Sequence, residues 1–363
     1  MQDPQGKPGP AVIKFDENFD FDNYSEDSVP LNNGMTSIAV DESNTATTTT
    51  PSNTTTTTPP GMMTLYYIGV EGSTQSTTID PSRSWALQIA RVYGFPCTVG
   101  GGGLFSSERV AEYKALLRRF SFWVSAVDVL MFVVALLCGG GFAGLGANMF
   151  LGPTERGLSA AGAKYTYAIV SRMAFHRLAT AVLHHYGLVQ LAVNLYAQLR
   201  LGVYAEAQWG LATYGLIYGA AGLGGVLLSA QFNPESISVG ASGAMAGVLA
   251  ALLVYVYAVP EPRDPIRKPA LVQIGVLGVL YLIMSASPHT DFCAHLGGAA
   301  VGALLALALW GGKLEALQGA NEWVKKAFPL VLYAVTGLYF VVGLVVLYAY
   351  VYAEPIKYEN YVL

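Results

Sequence analysis

Charge is what this chain has least of. Only 12% of its 363 residues are Asp, Glu, Lys or Arg, against 53% that are hydrophobic, which is too apolar for an ordinary soluble domain of this size. Its solvent is therefore lipid over most of its length. The 20 basic and 24 acidic residues leave a formal net charge of -4, so there is no basic excess to hold a phosphate backbone, and no nucleic-acid partner is expected. Cysteine is also scarce. Cys97, Cys138 and Cys293 are widely spaced and odd in number, which fits neither a disulfide framework nor a metal-ligand spacing. No His-Glu-x-x-His helix or His-Cys cluster suggests a metalloprotease. The soluble-hydrolase elbow Gly-x-Ser-x-Gly is missing too, because Ala244 takes its last place. No metal and no cofactor are expected.

Two compositions share the chain. Residues 1–82 are rich in Asp, Asn, Thr, Gly and Pro and contain the tract TATTTTPSNTTTTTPP, so they lack the apolar surface that offsets ordering entropy. A disordered tail is expected there. It holds no apolar core behind positive charge and is acidic rather than Arg-rich, so neither a cleavable signal peptide nor a mitochondrial presequence is expected. Residues 83–119 are intermittently helical and interrupted by Gly100 to Gly103, which reads as an amphipathic juxtamembrane segment.

A hydrocarbon core of roughly 30 Å needs about 20 apolar residues per helix. By that measure the spans fall at 121–140, 187–204, 210–230, 237–258, 270–287, 291–311 and 329–352. Residues 313–328 then form a cytosolic linker and 353–363 a short outer tail. Lys114, Arg118 and Arg119, then Arg263, Arg267 and Lys268, then Lys313, Lys325 and Lys326 all lie on one side of this arrangement. The positive-inside bias makes that side, and the N-terminus, cytosolic. Arg156, Lys164, Arg172 and Arg177 in the first loop run against the trend.

With this orientation, the second, fourth and sixth spans enter from the outer face, and each is polar in its first turns. Gln190 and Asn194, Ser242, and Asp291 with His295 are the residues concerned. At 1.5 Å per residue, Ser242 lies about 8 Å, His295 about 6 Å and Asn194 about 10 Å inside the expected starts. Polar groups at such depth face a protein interior or a wet cavity. A serine hydroxyl needs a base to become a nucleophile, and a neutral histidine suits that task. Gln190 and Asn194 are spaced i, i+4, so both carboxamides lie on one helical face and suit one oxyanion, together with the Ser242 N–H. Bland readings stand beside these: helix packing at Gly243-x-x-x-Gly247, a satisfied packing histidine, and an interhelical hydrogen bond from Asn194. Asp291, four residues before His295, reads as an N-cap ahead of a third catalytic member. Asp128 inside the first span is an intramembrane acid, and hence a functional candidate.

VGASGAMAG, then DFCAHLGGAAVG, preceded by HRLATAVLHHYGLVQLAVNLYAQLRLG and YAEAQWG, resemble the rhomboid intramembrane serine proteases over roughly residues 145 to 311. The resemblance implies an all-α polytopic fold: a six-helix bundle over 120–312, plus a seventh transmembrane helix at 329–352 as in the eukaryotic secretory-pathway form. It implies a Ser-His dyad of Ser242 and His295, an oxyanion asparagine at Asn194, and a supporting glycine at Gly240. Gly298 and Gly302 would let the sixth helix pack closely against the fourth, Gly243 is a further supporting glycine, and His185 matches a structural histidine. Glu206 and Trp209 resemble a structural cytosolic-loop motif. The implied substrates are single-span membrane proteins, cut near the outer end of their helices to release ectodomains. The implied setting is a secretory-pathway membrane, whether Golgi, endosome or plasma membrane.

Three positions depart from the family's habit. Gln190 replaces a histidine, so altered oxyanion stabilisation is expected. Ala246 replaces the aromatic that stacks on the catalytic histidine, and His176-Arg177 replaces Trp-Arg. The competing expectation is a catalytically weak or inactive relative that binds and escorts membrane clients. A seven-span transporter or receptor would instead place its polar residues along a pathway.

Overall fold

A computed structural model describes residues 47–49, 55–57, 63–68, 74–79, 114–259, 267–285 and 291–351. Within the tail expected to be disordered, the described residues are two hairpins. Strand β1 (Thr47–Thr49) pairs antiparallel with β2 (Thr55–Thr57), and β3 (Met63–Ile68) pairs with β4 (Thr74–Ile79). Thr is β-branched and suits a pleated strand. The juxtamembrane segment before residue 114, the Arg263 end of the second basic cluster and the outer tail lie outside the described residues.

From residue 114 onward the described chain is helical. Helix α1 (Phe120–Gly139) stops at Gly140, whose φ of 75° lets its N–H turn back to the last carbonyls. The first loop holds three short helices, α2 (Glu155–Ala161), α3 (Thr166–Ser171) and α4 (Arg177–Thr180). Next comes α5 (Leu188–Ala197), which runs through a π turn at Gln198–Gly202 into α6 (Val203–Trp209). Beyond it are α7 (Leu211–Phe232), α8 (Ser242–Ala258), α9 (Arg267–Met284), α10 (Phe292–Trp310), α11 (Glu315–Gln318) and α12 (Glu322–Tyr350). Four of these, α1, α7, α10 and α12, are long and apolar enough to cross a bilayer. The protein is an integral membrane protein.

The seven expected spans map onto helical runs in order, and their starts agree within three residues except at two. The seventh begins at Glu322, ahead of 329, because Asn321 caps it by accepting from Trp323 N. The fourth begins at Ser242, not at 237. Residues ahead of it are held extended, with Lys164 and Ser238 forming a β-bridge. Helix α8 is therefore 17 residues long, about 25 Å at 1.5 Å per residue, and falls short of a full crossing.

That short helix is the centre of the bundle. Ala244, Met245, Val248, Ala251 and Leu252 of α8 are wholly buried, packed between α7 and α10. Helix α12 lies outside α7, pinned where Tyr339 OH donates to Gly224 O at 2.6 Å and Gln231 Nε2 donates to Gly343 O at 2.7 Å. At the opposite end of the bundle, Glu206 caps α1 by accepting from Phe120 N, Ser121 N and Ser121 Oγ at 2.8 to 2.9 Å. Trp209 packs against Trp310 and Tyr255.

Asp128 finds its partner in Gln198, whose Nε2 donates to it at 2.8 Å and also reaches Tyr218 OH at 3.0 Å. Two of the first-loop cations that ran against the charge bias are buried. Arg177 donates to Ser159 O and Ala163 O, and Lys164 to Asn233 O and Ser236 Oγ. They hold the loop's shape and are withdrawn from the surface charge count.

Candidate active site

Ser242 opens α8, and its N-cap, Ala241, has no side chain to satisfy the helix's first N–H groups. Backbone donors and the positive end of the helix dipole therefore gather at the hydroxyl. The chain arrives through Gly240 at φ 139°. A Cβ there would sit 2.7 Å from Gln190 Nε2 and 3.3 Å from Ser242 Oγ. Only glycine supplies both the bend and the notch.

His295 stands one turn into α10, with its Nε2 2.7 Å from Ser242 Oγ. Both residues are buried, Ser242 3% and His295 7% exposed. Glycines bring their helices together: a Cβ on Gly298 would lie 2.0 Å from Gly243 O, and one on Gly302 2.2 Å from Gly247 O. Gly225 of α7 faces Ala294 O in the same way, at 2.4 Å. A hydroxyl within hydrogen-bond reach of an imidazole nitrogen in a crowded, buried setting is suited to proton removal and nucleophilic attack.

The other side of the imidazole meets α9. Tyr281 stacks on it, with ring centroids 5.4 Å apart and planes inclined by 29°. Ser285 Oγ lies 2.7 Å from His295 Nδ1 and donates to Tyr281 O, also at 2.7 Å.

The two carboxamides have different surroundings. Asn194 is fully buried and accepts from Tyr281 OH at 3.1 Å through Oδ1, while its Nδ2 has no partner among the described residues. Gln190 is more engaged, with one of its two amide hydrogens already committed. Its Oε1 accepts from Tyr186 N at 2.7 Å and its Nε2 donates to Val239 O at 3.0 Å, so it braces the strand-like approach to Ser242.

Asp291 caps α10, accepting from Cys293 N at 2.9 Å. Its other oxygen receives Ser229 Oγ and Asn233 Nδ2 and lies 3.9 Å from Lys164 Nζ. It makes no hydrogen bond to the His295 ring. His185 is wholly buried, and burial together with neighbouring His184 pushes its pKa down to about 3, so it stays neutral. No cluster of metal-ligating side chains occurs among the described residues.

Residues 172–312, which contain this hydroxyl, imidazole and carboxamide, match the rhomboid domain. The chain belongs to the rhomboid family. It is 34% identical over 164 residues to RHOMBOID-like protein 1 of Arabidopsis thaliana, 44% of this chain and 40% of that protein. It is 35% identical over 173 residues to RHOMBOID-like protein 6, mitochondrial, of the same plant, 46% of this chain and 54% of that one. Rhomboid protease GluP of Bacillus subtilis is 31% identical over 191 residues, 52% of this chain and 34% of GluP. The chain thus spans about half the length of the curated relatives it matches.

Within this rhomboid, the aromatic missing at Ala246 has a counterpart that sequence reading did not single out. Tyr281 supplies a stacked ring from another helix. The available signal was the i, i+4 pair of hydrogen-bonding side chains, Tyr281 and Ser285, at the end of the fifth span.

Proposed function

We propose that this rhomboid is an intramembrane serine endopeptidase that cuts single-span membrane proteins near the outer end of their helices and releases their ectodomains. One observation carries the reading: the 2.7 Å contact between Ser242 Oγ and His295 Nε2. A substrate helix hides its carbonyls in its own hydrogen bonds and must unwind locally before attack. Ser242 Oγ then bonds to the exposed carbonyl carbon as its proton passes to His295 Nε2. Asn194 Nδ2 and the N–H groups opening α8 receive the oxyanion. His295 returns the proton to the departing amine, the acyl-enzyme remains, and a water deprotonated by His295 attacks the acyl carbon, breaking its bond to Ser242 Oγ, which takes the proton back from His295 as the second product leaves. Gln190 serves as a brace for the Val239–Gly240 segment.

The active face is taken to be the outer one and the N-terminus cytosolic, in a membrane of the secretory pathway. Burial of Lys164 and Arg177 supports that orientation by removing the contrary charges from the loop surface. The test is co-expression with a single-span reporter carrying helix-weakening residues near its outer end. Cleavage by wild type and its loss in Ser242→Ala and His295→Ala is the expected result, and undiminished product in both variants would end the assignment. Fluorophosphonate labelling that disappears in Ser242→Ala separates a protease from a relative that only escorts clients.

A further inference from the structure

We propose that Tyr281, in the last turn of α9, and Ser285, just past its end, are positioning residues for the catalytic pair: Ser285 fixes the tautomer of His295, while Tyr281 fixes its plane and aims Asn194. The inference rests on the proteolytic reading and adds to it the part that a carboxylate plays in a Ser-His-Asp triad.

Tyr281 O is a main-chain carbonyl and can only accept; it receives Ser285 N–H at 2.9 Å and lies 2.7 Å from Ser285 Oγ, and in the proposed arrangement it takes the single hydroxyl proton of Ser285 as well. What Ser285 Oγ then turns toward His295 Nδ1, 2.7 Å away, is a lone pair. That contact requires the hydrogen to be on Nδ1. A neutral imidazole carries one N–H, so Nε2 is left bare, facing the Ser242 hydroxyl at 2.7 Å. This is the tautomer a general base needs. When Nε2 takes the serine proton, Nδ1–H keeps its acceptor, and the imidazolium is held by a hydroxyl where other serine hydrolases use an acid. Asp291, the sequence candidate for that acid, is committed to capping α10 and to Ser229, Asn233 and Lys164.

Tyr281 does two things at once. Its ring lies against the imidazole, so rotation of His295 away from Ser242 must displace a fully packed tyrosine, 3% exposed. Its hydroxyl donates to Asn194 Oδ1, which turns the amide nitrogen away from α9 and leaves its hydrogens without an acceptor. Base and oxyanion donor are thereby aligned by one side chain. Ser285 and Tyr281 are four residues apart and share a helical face, while Val272, Val276, Val279 and Ile283 of α9 are exposed.

Nitrogen-15 NMR of full-length protein in detergent, labelled at the histidine ring nitrogens, reads the tautomer directly, with His295 assigned from its loss in His295→Gln. A protonated Nδ1 and bare Nε2 in wild type, a mixture in Ser285→Ala, and the wild-type pattern in Ser285→Thr are expected. Protonated Nε2 in wild type overturns the proposal whether or not the protein cleaves. In reporter kinetics, Ser285→Ala is expected to lower kcat about 10-fold with KM unchanged, the size of one charge-assisted hydrogen bond, and Ser285→Thr to restore it. Tyr281→Leu is expected to lose more than Tyr281→Phe. Equal kcat for wild type and Ser285→Ala also overturns the proposal. Failure of Ser242→Ala to abolish cleavage would instead remove the protease reading, with the tautomer result standing by itself.

Discussion

Lys164 Nζ lies 3.9 Å from Asp291 Oδ2, a contact that ties the first loop to the cap of the helix bearing His295. Burial is the larger influence on this lysine and lowers its pKa from 10.5 to about 8, with the Asp291 carboxylate pulling the other way. Between these values the unfolded chain binds more protons than the folded one, so stability rises with pH across that window. Below pH 8 the desolvation penalty of the ammonium is fully present; above 10.5 it is gone. Wild type is therefore expected to gain in Tm relative to Lys164→Met as detergent samples go from about pH 8 to 10. A difference that shrinks over that range would contradict the burial described for Nζ.

Asn194 and Gln190 are expected to separate kinetically. Asn194→Ala removes an amide donor with no other partner and should lower kcat about 100-fold or more with little change in KM. Gln190→Ala strands Tyr186 N and Val239 O and should mainly lower Tm, by the equivalent of about 1 to 3 kcal/mol. Measuring both constants and both melting curves checks the division of labour; equal loss of kcat in the two variants would restore Gln190 as an oxyanion donor.

Small substitutions on glycine should sort by location. Gly298→Ala drives a methyl to within 2.0 Å of Gly243 O and must push α10 off α8, abolishing fluorophosphonate labelling. Gly275→Ala on α9 meets nothing within 4 Å and should leave labelling unchanged while favouring the helix by up to about 1 kcal/mol. Labelling retained by Gly298→Ala would mean that the helices have room the packing does not show.

Glu206 acts far from the dyad. Glu206→Ala leaves two backbone N–H groups and the Ser121 hydroxyl without their acceptor, and should cost about 2 kcal/mol or more of stability. Thermal unfolding in detergent checks this. At temperatures where the variant remains folded, Ser242 labelling should match wild type.

Much of this was legible in sequence because it is written in spacing and solvent preference. Apolar run lengths located the helices, and Ser242, His295 and Asn194 stood out because a polar group in lipid needs a reason to be there. Other features depend on tertiary contact. The start of α8 was missed by five residues because Ile237 to Ala241 are apolar or small, and hydropathy cannot tell an extended approach from a helical turn. The bracing role of Gln190 is not legible in sequence, because periodicity reports which face it shares with Asn194, not which backbone groups lie opposite. The ring expected from Ala246 arrives from α9, and no one-dimensional pattern places Tyr281 against His295.

The glycine seam between α8 and α10 has one more implication. Main chain abuts main chain there, so no rotamer change along the seam can widen or narrow the spacing of the two helices that carry Ser242 and His295. That spacing is thus insulated from the outward-facing rows of Val, Leu and Ile, which are free to drift with the thickness and fluidity of whatever bilayer surrounds them.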